Sequence, residues 1–336
     1  MSAMAAPPVM ILVWNGWEDT FECLRALLDS GEGCPVWLLD NGSDQDRGAE
    51  ARAIYPGLRV IRWPENYGIA GGFNRALKLA AREGHEFGYL LNNDCAVTAG
   101  FLSTVLEVAK GNPRLAAVGS RTAWMDPGNS VMFDGTFYLP GEKPMEESSN
   151  VKMVREIGTA AALIRLAALE SEGYFDERFF AYRETVDWCA QVLAHGWQLA
   201  LAEASLVYHR RQRSDVNSNE LYYRTRNYFL CQRNGYLRQG LRKRFLYVYL
   251  QLRYANEARR TGDSERTEAI VDGLWDGLTG RFGKRGARPP RAVSYLLANF
   301  WIFPMGFFHG KFPGSVASRA GPEIPAGHSS SPGERR

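Results

Sequence analysis

The sequence predicts an α/β protein: a mostly parallel, doubly wound sheet flanked by helices, followed by a C-terminal helical extension. Three features carry that expectation. Short apolar runs bounded by turn residues recur at Val9–Val13, Val36–Leu39, Leu58–Ile61 and Tyr89–Leu91, the length and composition of buried strands. Helix-like stretches separate these runs, which makes repeated βαβ units and hence parallel strands. From Asn219 to Arg260 the pattern changes to long helical stretches rich in Tyr, Phe and Arg.

The elements follow in order. After Trp17, the positions Phe21, Leu24, Leu27 and Leu28 recur at helical spacing and stop near Gly31–Gly33, giving a first crossover helix over the sheet. Tyr89–Leu91 runs directly into Asn92-Asn93-Asp94, at the carboxyl edge where parallel α/β sheets bind their ligands. Glu184–His195 reads as a helix with Glu184, Asp187 and Trp188 on one face and Val186, Cys189, Ala190 and Leu193 on the other. The strand Leu206–Tyr208 ends at His209. We expect a flexible N-terminus over 1–8 and an α/β domain over 9–213, with a nucleotide half at 9–95 and an acceptor half at 96–213. A basic aromatic helical region over 214–286, an apolar segment over 287–313 and a disordered tail over 314–336 complete the chain.

Composition narrows the function. The 336 residues carry a net charge of +3, yet residues 220–260 hold ten Lys/Arg against two Glu, a local +8 that leaves about −5 elsewhere. A generally basic nucleic-acid binder is therefore not expected. Five scattered cysteines, Cys23, Cys34, Cys95, Cys189 and Cys231, form no C-x-x-C pair, which points to a reducing compartment without disulfides or structural zinc. Met1–Pro8 lacks the basic start and apolar run of a signal peptide, and the cytoplasm is inferred. Ala292–Phe308 is broken by Ser294, Asn299 and Pro304 and falls short of the ~20 residues of a spanning helix, so it reads as interfacial or re-entrant.

Three loops at the predicted carboxyl edge carry polar groups. Asp94 offers a hard oxygen ligand suited to Mg²⁺ or Mn²⁺, or it belongs to a common turn. Asp40-Asn41-Gly42-Ser43 can read a base or ribose, or form a plain Asx turn. Asn66 to Asn74, with Gly68, Gly71 and Gly72, lets backbone approach a ligand and offers helix N–H groups to phosphate.

Taken together, the motifs resemble glycosyltransferase family 2, in its bacterial rhamnosyltransferase-like branch. The matching residues are Val13-Trp14-Asn15-Gly16, Asp40–Ser43, Asn66–Asn74, Leu90–Asp94, Gly158–Ala161, Gly173–Phe180, Glu184–Trp188 and Tyr208-His209, which cover about Val9 to Ser214. The resemblance implies a GT-A, Rossmann-like fold. It implies a nucleotide-sugar donor bound by Asn15, Asp40, Asn66, Gly71, Asn74, Asn92 and Asn93, and a divalent metal, Mg²⁺ or Mn²⁺, held by Asp94 with His209. Phe179, in a loop that looks acceptor-side, stacks on a sugar or plugs the loop, and Trp188 lies beside the acceptor by family analogy or in the core.

Transfer with inversion needs charge neutralisation on the leaving nucleoside diphosphate and a base for the acceptor hydroxyl. In similar enzymes the base comes from a Glu-Asp-x-Asp motif, at its second acidic position, which is Thr185 here. Threonine cannot act as a base near neutral pH, which leaves Glu184 or Asp187. The basic aromatic stretch, with Arg224, Arg226, Arg233, Arg238, Arg242, Lys243 and Arg244 among Tyr222, Tyr223, Tyr228, Phe229, Tyr236 and Phe245, suits an anionic membrane surface and a polyprenyl-diphosphate head, or arginine stems packed on the catalytic domain. The expected activity is inverting, metal-dependent transfer of one sugar, rhamnose from dTDP-rhamnose as the specific donor, to a glycan or polyprenyl-linked glycan in cell-surface polysaccharide synthesis. The expected place is the inner face of the cytoplasmic membrane, peripherally, with a homo-oligomer left open. The alternative is a non-catalytic nucleotide-sugar-binding or assembly protein on the same fold.

Overall fold

The computed structural model describes residues 6–125, 131–133, 147–148, 150–210, 217–237 and 239–286. Its first part runs β1 (Val9–Val13), α1 (Trp17–Asp29), β2 (Val36–Asp40), α2 (Gly48–Ile54), β3 (Arg59–Arg62), α3 (Gly68–Arg82), β4 (Phe87–Asn92), β5 (Cys95–Val97), α4 (Phe101–Gly111) and β6 (Leu115–Trp124). Then come β7 (Val131–Phe133), β8 (Glu147–Ser148), β9 (Val151–Met153), β10 (Ala161–Arg165), α5 (Leu166–Glu172), a 3-10 turn (Glu177–Phe179), α6 (Glu184–Ala194) and β11 (Gln198–His209). Three helices follow: α7 (Ser218–Asn234), α8 (Leu241–Arg260) and α9 (Ser264–Thr279).

The four apolar runs form β1 to β4, with β4 longer than the run that announced it. One sheet has the order β3-β2-β1-β4-β10-β6-β11-β9-β8, with β5 on β11 and β7 on β6. β3, β2, β1 and β4 are parallel throughout. The parallel pattern stops at β10, which lies antiparallel to both β4 and β6, and β6 pairs in parallel with β11. Parallel neighbours need a crossover, usually helical, and between β6 and β10 the described residues hold no helix.

Alternate residues of β1 feed two cores, as a pleated strand requires. Val9, Ile11 and Val13 meet Phe21, Leu24 and Leu27 of α1 and Phe101 and Val105 of α4. Met10 faces Phe73 and Leu77 of α3, and that core continues to Leu169 of α5 and Trp188 and Val192 of α6. Leu28, expected on the covered face of α1, is 51% exposed. The helix turns it away, and Leu24 and Leu27 fill the core without it.

The C-terminal helices pack on one another and on the α/β domain. Ile270, Val271 and Leu274 of α9 bury against Ala255 of α8, while Leu230 and Cys231 of α7 cover Phe179. α9 approaches α7 closely because Gly273 and Gly277 face it: an added Cβ would lie 2.8 Å from Tyr222 O and 2.2 Å from the Phe229 ring. Of the basic aromatic series, Tyr222, Tyr223, Tyr228 and Arg226 are buried and so are unavailable to a membrane; Arg238 lies outside the described residues. No helix among the described residues is long and apolar enough to cross a membrane. The boundary expected near Arg213, the segment 287–313 and the tail 314–336 also lie outside them.

Candidate active site

β1, β2 and β4 end level with one another. Val13 stands opposite Asp40 and Leu12 opposite Asn92, so the turns that follow share one edge. β11 delivers His209 to the same edge, through β5, where His209 stands opposite Cys95. Asp94, Cys95 and His209 present ligand atoms within 4.8 Å of one another.

This donor set fits a hard divalent cation. Asp94 Oδ1 lies 3.3 Å from His209 Nε2, and that nitrogen is also 3.3 Å from Asn92 Nδ2. The unprotonated Nε2 has one lone pair, so it ligates a metal beside Asp94 only when it is not accepting from the Asn92 amide. His209 is 5% exposed, and its ring packs edge-on against Trp124 with centroids 5.5 Å apart. The Cys95 thiol donates to Ala160 O at 3.6 Å, and burial holds its pKa well above the ordinary value. With the thiol turned to Ala160 O, Asp94 and His209 offer an oxygen and a nitrogen, which suit Mg²⁺ or Mn²⁺ better than a soft ion.

The remaining donor-side residues build the walls. Asn15, at φ 60°, takes a bond from Asp44 N and donates to Asp44 Oδ2. Its own N–H donates to Ser43 Oγ, so the turns after β1 and β2 are tied together. Asp40 is fully buried: Oδ1 accepts from Ser43 N at 2.8 Å and Oδ2 from Arg62 Nη1 at 2.8 Å. Asp40 therefore shapes the loop and orients Arg62. Asn93 Nδ2 donates to Gly16 O and Thr20 Oγ1, and Trp14 leaves β1 with its ring 56% exposed on this edge.

The glycine-rich segment differs from its expectation. Residues 68–82 are helical, and the N–H groups expected to face phosphate are already taken. Tyr67 N donates to Asn41 Oδ1, Gly68 N to Asn66 Oδ1, and Ile69 N and Ala70 N to Phe180 O. The glycines serve close packing instead. Gly68 has φ +74° and an added Cβ would lie 2.1 Å from Phe180 O; one on Gly72 would lie 2.6 Å from Leu12 Cδ1. Gly71 sits under Tyr67 and Arg75, and the buried Asn74 bonds Phe175 O and N and Glu177. Asn66, Gly71 and Asn74, expected on the donor, are committed to these internal contacts. Asn41, named with the Asp40–Ser43 turn as a reader of base or ribose, also bonds Asn66 Oδ1 and Gly68 O and so ties that turn to the glycine-rich segment.

On the acceptor side, α6 starts with an abrupt backbone. Phe180, Tyr182 and Arg183 have φ of 62°, 66° and 72°, conformations that cost non-glycine residues ~1–3 kcal/mol each. They place Glu184 in the first turn of α6, 3% exposed, with Oε2 unpartnered. Burial pushes its carboxyl up to about 7, with a further push from Glu156. Asp187, also 3% exposed, accepts from Asn234 Nδ2 at 2.7 Å through Oδ2, while Oδ1 has no partner. Burial raises it to about 6, and the Asn234 bond opposes the rise. Glu156 is itself raised by burial, against Arg183 and Arg224, and no periodicity or motif marks it in the sequence. Thr185 is 8% exposed.

Phe179 and Trp188, expected beside the acceptor, do not face a sugar. Phe179 is fully buried beneath α7. Trp188 is 1% exposed, donates Nε1–H to Gly173 O, and packs edge-on against Phe175. Both are core contacts, because α7 closes over the loop and the indole faces the second core.

Comparison with known proteins bears on the family. Residues 9–170 match the sequence model of "Glycosyl transferase family 2". An uncharacterized protein of Mycobacterium tuberculosis is 36% identical over 106 residues, 31% of this chain and 38% of the relative. This match thus spans under two fifths of that relative's length. The N-acetylglucosaminyl-diphospho-decaprenol L-rhamnosyltransferase of the same organism is 23% identical over 244 residues, 62% of this chain and 78% of the relative. Among solved structures, GalNAc-T7 with UDP, GalNAc and Mn²⁺ superposes with a TM-score of 0.57 at 12% identity, covering 84% of this chain and 57% of that one. The mannosyltransferase PcManGT from Pyrobaculum calidifontis, with GDP-Man and Mn²⁺, gives 0.54 at 12% identity, covering 83% and 89%. The two solved structures are glycosyltransferases of the GT-A type, and they share this chain's fold.

Proposed function

We propose that this chain, which belongs to glycosyl transferase family 2 through residues 9–170, transfers one sugar from a nucleotide-sugar to an acceptor hydroxyl with inversion at the anomeric carbon. The observation that carries the reading is the meeting of Asp94 and His209 at the edge where β1, β2 and β4 end. Those two residues would hold Mg²⁺ or Mn²⁺. A bound divalent ion there supplies charge neutralisation for the departing diphosphate. Mn²⁺ and nucleotide groups in the two structural neighbours support this assignment. Asn15, Asp40 with Arg62, and Asn93 fix the turns that face the nucleotide.

Glu184 is the candidate base. Its carboxyl keeps one unpartnered oxygen, and burial raises it to about 7, where a base both exists ionised and binds a proton well. Asp187 is tied by Asn234 into the contact between α6 and α7 and serves that contact first. A rhamnosyl donor and a polyprenyl-linked glycan acceptor are supported by the name of the mycobacterial rhamnosyltransferase, and dTDP-rhamnose is the donor we propose. A lipid-linked acceptor places the chain peripherally at the inner face of the cytoplasmic membrane, in cell-surface polysaccharide synthesis. The exposed Leu241, Phe245 and Leu246, beside Arg242 and Lys243 at the start of α8, support contact with anionic lipid.

Calorimetric binding of UDP-, GDP- and dTDP-sugars with and without Mn²⁺ or Mg²⁺ tests the reading. Metal-dependent binding of one nucleotide class is expected, and binding of none would overturn it. Thr185 favours a second reading, a binding protein without turnover. Release of nucleoside diphosphate in the presence of acceptor excludes that reading.

A further inference from the structure

The segment Phe179–Arg183 joins the glycine-rich α3 to the candidate base, and it is held from two sides. On one side Phe180 O receives Ile69 N at 2.6 Å and Ala70 N at 3.3 Å, so the first turn of α3 is bonded to this loop. On the other side stands Asn227, at the middle of α7 and fully buried. Its Nδ2 lies 3.0 Å from Phe179 O, 2.7 Å from Ala181 O and 2.7 Å from Tyr182 O. Arg226 reinforces it: Nη2 donates to Phe179 O at 2.8 Å, and Nε donates to Asn227 Oδ1 at 2.9 Å. Arg183 closes the arrangement by donating Nε–H to Arg224 O at 3.0 Å.

These carbonyls point at α7 because three of the intervening residues carry positive φ. Such a backbone relaxes unless its surroundings over-determine it. The donors that over-determine it belong to α7, outside the span matched by the family model. We propose that Asn227, oriented by Arg226, is a positioning residue that holds the strained 179–183 loop and thereby sets Glu184 against the donor-side helix α3. α7 is then part of the active site's frame, and the C-terminal helices complete the transferase domain. The proposal rests on the assignment of Glu184 as the base.

Asn227→Asp is the informative change, since it keeps the side-chain volume and the acceptor to Arg226 but replaces the amide donor with oxygen facing three carbonyls. Asn227→Ala removes both. Glu156, before β10, acts on Glu184, and Arg183 at the start of α6 and Arg224 on α7 act on Glu156 in turn; all three remain in both variants. Two readouts are taken on full-length protein whose circular dichroism matches the wild type. The first is carbon-13 NMR titration of the Glu184 carboxyl, assigned with Glu184→Gln. The second is kcat and donor KM for transfer.

In Asn227→Ala the expected result is a Glu184 titration that moves down from about 7 toward the ordinary carboxylate range, with kcat reduced at least about tenfold and donor KM within about threefold; in Asn227→Asp the same loss of kcat is expected, while the new acid opposes the fall in titration when ionised. Unchanged titration in a folded Asn227→Ala protein overturns the proposal. So does a parallel loss of kcat and folded fraction with unchanged titration in the folded remainder. If the wild type shows no transfer, the base assignment fails while the titration still reports whether Asn227 positions Glu184.

Discussion

His209 Nε2 lies 3.3 Å from Asp94 Oδ1, although one residue follows β4 and the other ends β11. The long β11 bridges them, because its last residues pair with β5 directly behind Asp94, and Arg210 N donates to Asp94 O at 2.9 Å. Asp94→Ala should remove the metal-dependent part of nucleotide-sugar binding and abolish turnover. His209→Gln, which preserves most of the packing on Trp124, should weaken Mn²⁺ affinity by about 10–100-fold, the usual order for a disturbed ligand environment. Titration calorimetry with Mn²⁺ and nucleotide checks both. Undiminished metal dependence in Asp94→Ala would remove it from the metal site.

The two raised carboxylates separate by their partners. Glu184→Gln should lower kcat by about 10²–10⁴-fold with little change in donor KM, the cost typical of a lost general base. Asp187→Asn keeps a hydrogen-bonding group opposite Asn234 and should lower kcat less than about tenfold. Initial-rate kinetics with saturating donor decide the matter. Equal effects below tenfold at both positions would refute the assignment of the base to α6.

β1, β2 and β4 were legible because they are buried on both faces and so read as plain apolar runs: Val9–Val13 is reproduced residue for residue as β1, whereas the half-exposed β3 is shifted by one residue from its run. Asp94 and His209 were legible as strand-end polar residues, since strand ends fix position even when the partner is distant in sequence. The roles of Asn66, Gly71 and Asn74 were not legible. A glycine-rich stretch looks the same whether its glycines admit a phosphate or, like Gly68 under Phe180 O, a neighbouring backbone. Phe179 and Trp188 misled for a related reason: an aromatic residue in a loop or helix is exposed or buried according to what packs over it. For Phe179, α7 supplies the cover with Leu230 and Cys231, from about fifty residues further along, and Trp188 is covered by Phe175 in the second core. Asn227 and Glu156 carry no local signal, as their partners are backbone carbonyls and charges of other elements.

Stability and activity should respond to pH with opposite signs through Glu184. Burial raises its folded carboxyl from 4.5 to about 7, so the folded state binds the proton more tightly than the unfolded chain. Unfolding free energy therefore falls as pH rises from about 4.5 to about 7, by up to roughly 3 kcal/mol at ~1.4 kcal/mol per pH unit. The base must be ionised, so kcat should rise through the same window. Glu184→Gln should accordingly be more stable than wild type at pH 8 and nearly equal to it at pH 4.5, while remaining inactive at both. Urea denaturation at the two pH values measures this, and a variant less stable at pH 8 would show that the carboxylate is stabilised in place.

The membrane contact narrows to the start of α8. Leu241 is 70% exposed, Phe245 73% and Leu246 53%, and Leu241 with Phe245 spans one helical turn, on one face. Arg242 and Lys243 are exposed between them, and basic residues near an anionic surface contribute ~1 kcal/mol each. By contrast Tyr222, Tyr223, Tyr228 and Arg226 are buried, so charge and aromatic content alone overstate the surface. The double variant Leu241→Glu with Phe245→Glu should lose binding to vesicles of mixed phosphatidylglycerol and phosphatidylcholine by at least about tenfold, and nucleotide-sugar binding should stay unchanged because α8 packs on α7 and α9. Raising salt should weaken wild-type binding, since the basic pair acts through screened charge. Vesicle sedimentation that leaves the wild type in the supernatant at low salt would remove α8 as a lipid contact.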